Sequence, residues 1–149
     1  MAGMDVKITT SPRDLRSIPR KLRSKADKNK KRAMQRVVLQ GVSIIEQRTA
    51  KGQGFKGGRF RAYKPEYALF RSQAGRGTTP NLEFTGRMLS ALTQTVTKNK
   101  GIIFFAQPAE AKKAAFNNRT RPFMGFSRDE RDELADVYRG TLMPKNWNK

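Results

Sequence analysis

The chain contains no cysteine and no histidine. Without cysteine there is no disulfide framework, no thiolate zinc site and no thiol nucleophile. Without histidine the commonest general base and the commonest metal ligand are gone, together with every Ser-His-Asp arrangement. Carboxylates, lysine, tyrosine and hydroxyls are left for chemistry, and only 12 of the 149 residues are acidic. Most enzyme classes are improbable on these grounds alone. Apolar residues are scarce too, at 36%, which points to a modest core or one shared with neighbours. Long apolar runs are also missing. Ile102-Ile103-Phe104-Phe105-Ala106 is far too short to cross a bilayer. Met1–Thr10 lacks the apolar segment of a signal peptide, so a leaderless protein of a cytoplasm-like compartment is expected, with no membrane partner. The length fits one domain.

Positive charge is what the chain has in excess. Lysine and arginine number 32 against 12 acids, a net charge of +20. Such a field attracts polyanions, usually nucleic acid, and fades as salt rises. Residues 1–76 hold 20 basic and 5 acidic side chains, a balance of +15; residues 77–149 hold 12 and 7, a balance of +5. Arg13 to Arg36 alone carries 11 basic residues and two aspartates. A solvated helix face is the plain reading of such a run. The functional one is contact with a phosphate backbone, because no acidic counterweight stands elsewhere. Its candidates are Arg20, Lys21, Arg23, Lys25, Lys28, Lys30, Lys31 and Arg32, joined by Lys51, Lys56 and Arg59 further on. No aromatic residue precedes Phe55, so base-stacking platforms are missing from this segment. No zinc finger, basic zipper or RNA-recognition motif is present. Nucleic acid would be met by charge, without sequence readout.

Met4 to Ile8 alternates and predicts a short strand. Ser11-Pro12 reads as a helix start, with a thin stripe of Leu15, Ile18 and Leu22 and a kink at Pro19. Met34, Val37, Val38, Gly41, Ile44, Ile45 and Arg48 then recur at helical spacing. One long helix over about 21–49 follows, core-forming in its C-terminal half. Lys51 to Arg59 is glycine-rich and reads as a flexible connection, and Ala74 to Pro80 as another. Pro65 opens a short helical run to Ser72. Thr85 is placed to cap a helix bearing Met88, Leu89 and Leu92. Thr93–Thr97 and Gly101–Ala106 read as a hairpin. Pro108–Asn117 reads as a helix with Ala111, Ala114, Ala115 and Phe116 inward. Ser127, with Asp129 and Glu130 in the first turn, starts a last helix whose inner face is Leu134, Val137, Tyr138 and Leu142. The tail from Pro144 reads as frayed. The expected class is α+β, a small antiparallel sheet packed against a long N-terminal helix and two or three shorter helices. Residues 1–36 read as a short strand and a basic helical arm, and 37–149 as a single α+β domain, with the long helix of about 21–49 shared by both.

Two groups invite chemistry. The run Gly52 to Gly58 lacks the Lys-Ser/Thr and the preceding strand that a phosphate loop needs, so it reads as a surface loop. Asp129, Asp132, Glu133 and Asp136 share a helix face, but Arg128, Arg131 and Arg139 interleave with them. A solvated or subunit-contacting face suits them better than a metal site. No cofactor and no metal is expected.

Four stretches in order carry a resemblance. They are Arg48-Thr49-Ala50-Lys51-Gly52 running on to Phe60-Arg61-Ala62-Tyr63-Lys64-Pro65-Glu66-Tyr67-Ala68, then Asn81 to Leu92, Ala114 to Asn118, and Arg121-Pro122-Phe123-Met124-Gly125-Phe126-Ser127. The set, spanning about Val37 to Leu142, resembles the neck and tail-completion (virion morphogenesis, minor tail) proteins of long-tailed bacteriophages. The resemblance implies a non-catalytic α+β subunit that forms a homo-oligomeric ring at the head-tail junction. Implied partners are further copies of itself, the head connector or adaptor, tail terminator or tail tube proteins, and double-stranded DNA crossing the channel. The implied location is the virion neck, and the host cytoplasm during assembly. Phe60, Tyr63, Tyr67, Arg121, Pro122 and Phe123 are the subunit-interface candidates, with core packing as the alternative for each aromatic. The competing function is a free cytoplasmic protein that binds nucleic acid without sequence preference.

Overall fold

Apolar side chains at spacings of 3 and 4 between Met34 and Ile45 give a long helix one sticky stripe, and that stripe organises the molecule. The computed structural model describes residues 4–10, 20–83, 85–143 and 145, with only the backbone of 20–22. They form β1 (Asp5–Thr9), α1 (Arg20–Ala50), α2 (Pro65–Gln73), α3 (Arg87–Ser90), β2 (Leu92–Val96), β3 (Lys100–Phe105), α4 (Pro108–Thr120) and α5 (Arg128–Leu142). The class is mixed α+β, as the patterning predicts. The sheet is antiparallel with β3 central, in the order β1-β3-β2. Ile103 sits opposite Val6 on one side and Gln94 on the other.

The stripe on α1 covers one face of this sheet and also takes α5 along its flank. Ile103, Phe105 and Gly101 point from β3 into the core, alternating with half-buried Ile102 and Phe104. Met34, Val37, Val38 and Ile45 meet them, and Phe123 is fully enclosed. Each such side chain contributes about 1.5–3 kcal/mol through burial. Leu134, Tyr138 and Leu142 are the buried face of α5, in agreement with the spacing. Ser127 caps that helix by accepting from the Glu130 backbone N–H (3.2 Å). Glu130 returns the bond to the Ser127 N–H at 2.8 Å, a reciprocal capping box.

β1 is hydrogen-bonded to β3, and α1 runs unbroken past residue 36 with Ala26, Ala33 and Met34 buried. Several expectations are corrected. The N-cap of α3 is Gly86 at φ 77°, without a side-chain cap, where Thr85 had been expected. A left-handed cap suits glycine. Leu92 belongs to β2 instead of that helix. Phe116 is 70% exposed, since it lies about 200° around the helix from Ala114, and Ala114 is the residue turned inward. The glycine-rich connection is a built turn. Gln53 bridges Arg59, the Phe60 N–H reaches the Gly52 carbonyl at 2.7 Å, and the Phe55 N–H reaches the Pro122 carbonyl at 3.2 Å. The expected helix start at Ser11-Pro12, the side chains of Leu15, Ile18 and Leu22, the kink at Pro19, and the tail beyond Met143 except Lys145 lie outside the described residues.

Candidate functional site

A basic helix can present charge only on the side its core stripe leaves free. On α1, Lys25, Lys28, Arg32 and Arg36 follow one another at spacings of 3, 4 and 4 and are all exposed. They lie on the arc opposite Met34, Val38 and Ile45 and span about 16 Å of helix. Lys31 is exposed one turn along from Lys28, and Arg23 is exposed on another arc. Lys30 is different. Its side chain is 14% exposed and ion-paired to Asp27, so its charge is compensated inside the chain. The hydrogen bond from Lys30 holds the Asp27 carboxyl below the usual carboxylate range; burial opposes it, and the charges of Lys30 and then Lys98 add to the lowering. Lys51, Lys56 and Arg59 are exposed at the opposite end of α1, so the phosphate-contact candidates form two separate groups. The side chains of Arg20 and Lys21 lie outside the described residues.

The interface candidates divide by burial. Phe60 and Phe123 are core residues, at 7% and 0% exposure, which removes them from any subunit contact. Pro122 is half-buried, and its carbonyl holds the glycine-rich turn. Tyr63, Tyr67 and Arg121 come together in a groove of 660 Å³ between α2 and α4. The Tyr63 ring lies between two guanidinium groups, with Arg71 Cζ 4.9 Å and Arg121 Cζ 5.0 Å from its centroid. Tyr67 meets Tyr63 edge-on at 5.0 Å.

Both arginines are also anchored to backbone. Arg121 donates from Nε to the Arg61 carbonyl at 2.9 Å and from Nη2 to that of Ala62 at 3.2 Å. Arg71, the buried residue of α2, donates from Nε to the Gly77 carbonyl at 2.8 Å. These bonds fix α2, which turns Leu69 (60% exposed) and Phe70 (53%) outward. Across the groove, Glu110 on α4 is buried. Lys113 Nζ meets its Oε1 at 2.9 Å, while its Oε2 has no hydrogen-bond partner.

Sequence reasoning missed Arg71, Glu110, Leu69, Phe70 and the outward role of Phe116. The spacing Tyr67–Arg71, one helical turn, was a usable signal for a stacked cation. Glu110 had no such signal, because its setting depends on a turn of chain far from it in sequence.

Among the described residues no group of three potential metal ligands occurs, and no helix is long and apolar enough to cross a membrane. Comparison with protein-family models, with curated proteins and with solved structures finds no match.

Proposed function

We propose that this chain is a structural subunit of the head-tail junction of a tailed bacteriophage, assembling as a homo-oligomeric ring that joins the head connector to the tail. The observation that carries the reading is α2. It is an ordered helix, pinned by Arg71, that leaves Tyr67, Leu69 and Phe70 in solvent. Large apolar side chains held rigidly outward mark protein contact surfaces. The ordered set of motifs from Arg48 to Ser127, which resembles the neck and tail-completion proteins, assigns that contact to a ring. A low apolar fraction also suits a subunit that buries further surface against its neighbours. In this reading the exposed stripe Lys25, Lys28, Arg32 and Arg36 touches the phosphates of DNA passing through the channel, without reading bases. The work done is assembly, with no reaction catalysed.

The test is electron cryomicroscopy of purified virions. A ring of this subunit between portal and tail is expected, and its absence from mature particles overturns the proposal. A second reading, a free nucleic-acid coat, draws on the same basic stripe. The salt dependence of binding to a DNA duplex separates the two. The ring reading predicts weak binding by the isolated subunit. In either case, reversing Lys28, Arg32 and Arg36 to glutamate should flatten the log-log salt slope by about 3, close to one unit per phosphate contact. Tight binding by the wild-type chain with a steep slope would favour the coat.

A further inference from the structure

In a chain of +20, five of the 12 carboxylates stand within eight residues, 129 to 136. Glu130 is used inside the fold by Arg48. The other four, Asp129, Asp132, Glu133 and Asp136, are exposed on α5, on the arc opposite Leu134, Tyr138 and Leu142. Their own chain engages this arc lightly. Glu133 accepts from Gln40 Nε2 at 2.7 Å. Asp136 pairs with Arg139 in full solvent, at 78% and 60% side-chain exposure, where such pairs contribute little.

The groove between α2 and α4 has the opposite character. Arg61, Lys64, Lys113 and Arg121 border it, Tyr67 and Phe116 form apolar walls, and Glu110 is the carboxylate lining it. The buried Glu110 Oε2 lacks a donor, and a buried acceptor left unpaired costs about 1–3 kcal/mol. The occupant this groove fits therefore brings carboxylates for the exposed cations and a hydrogen-bond donor for Glu110. The α5 arc meets both conditions, since Arg128 and Arg139 flank its acids.

We propose that the acidic face of α5 of one copy docks into the groove between α2 and α4 of a second copy. This rests on the ring reading and names the contact that builds the ring. The two surfaces are different patches of one subunit, so the contact is head-to-tail, the kind that closes into a ring when the rotation allows. Nucleic acid suits the groove less well. A phosphate backbone carries no hydrogen-bond donor for Glu110 Oε2, whereas the α5 face carries its own arginines beside its acids.

The test is charge exchange, followed by sedimentation velocity of the full chain at low salt. One variant carries Asp132→Lys and Asp136→Lys; the other carries Arg61→Glu and Lys64→Glu. All four positions are exposed, and circular dichroism checks that both variants fold. Wild-type protein should self-associate, and salt should weaken it. Each variant alone should associate at least tenfold more weakly. Mixing the two should restore assembly, because each reversed face then meets its reversed counterpart. A wild-type chain that stays monomeric at every concentration overturns the contact. So does association that persists in both variants, and so do groove changes that alter only binding to a DNA duplex. The ring reading fails separately, through absence of the ring from virions.

Discussion

Replacing Arg48 with alanine should lower the unfolding free energy by about 3–5 kcal/mol. Arg48 is only 9% exposed and serves four acceptors on one side of α1. Its Nη1 lies 2.6 and 2.5 Å from the two Glu130 oxygens, and its Nη2 lies 2.6 Å from the Phe123 carbonyl and 3.0 Å from that of Gly125. Truncation strands two carbonyls and takes the charge partner from Glu130, which keeps only the Ser127 N–H, where water has poor access. Lysine should recover little, because one ammonium cannot reproduce a planar fork that reaches both a carboxylate and two carbonyls. Pairing Arg48→Ala with Glu130→Gln should cost less than the sum of the two single changes, since they remove opposite halves of one interaction. Chemical denaturation with an unchanged m-value measures all of this. A loss below about 1 kcal/mol for Arg48→Ala would mean that the pair is dispensable.

Gly101→Ala should also be strongly destabilising, at about 1–3 kcal/mol, because inserted methyl groups in close-packed cores force the surroundings apart. A Cβ built at Gly101 overlaps Val38 Cγ2 and stands 3.3 Å from Met34 Sδ. The cost comes from contact alone, as Gly101 is not among the residues with positive φ. The rescue follows from the geometry. Val38→Ala removes the methyl in the way, so the double variant should be more stable than the sum of the single losses by at least about 1 kcal/mol. Strict additivity would sink this account of the close approach between α1 and β3.

The parts of the fold written in local periodicity were legible. Met34 to Arg48 showed its buried face, Leu134 to Leu142 showed another, and Ser127 announced the start of α5. The order of strands was not legible, since nothing near Asp5–Thr9 says that its partner is Lys100–Phe105. Arg48 could be placed on the inner face from its spacing, yet its partner Glu130 lies 82 residues away, and no helical period spans such a gap. The candidate site was half visible. Tyr63, Tyr67 and Arg121 were marked by their motifs. Phe60 and Phe123 came from the same motifs but belong to the core, because aromatic residues in short loose motifs serve packing and recognition alike. Lys30 counted as one more cation until its turn of helix placed it beside Asp27. Glycine content misled in the loop after α1, where Gly54 in fact allows the backbone to approach the Pro122 carbonyl.

The placement of β1 at the sheet edge imposes an order on how the chain matures. Val6 and its partner Ile103 are separated by on the order of a hundred residues, and joining them costs roughly 4 kcal/mol of chain entropy. Val96 and Gly101 close their hairpin for about 1.5 kcal/mol. The hairpin and the helix that covers it can therefore form first and present a ready template. On the ribosome β1 waits until Phe105 has emerged before it has anywhere to go. A subunit interrupted before that point leaves β1 unpaired, and only a chain made past β3 gives β1 its partner.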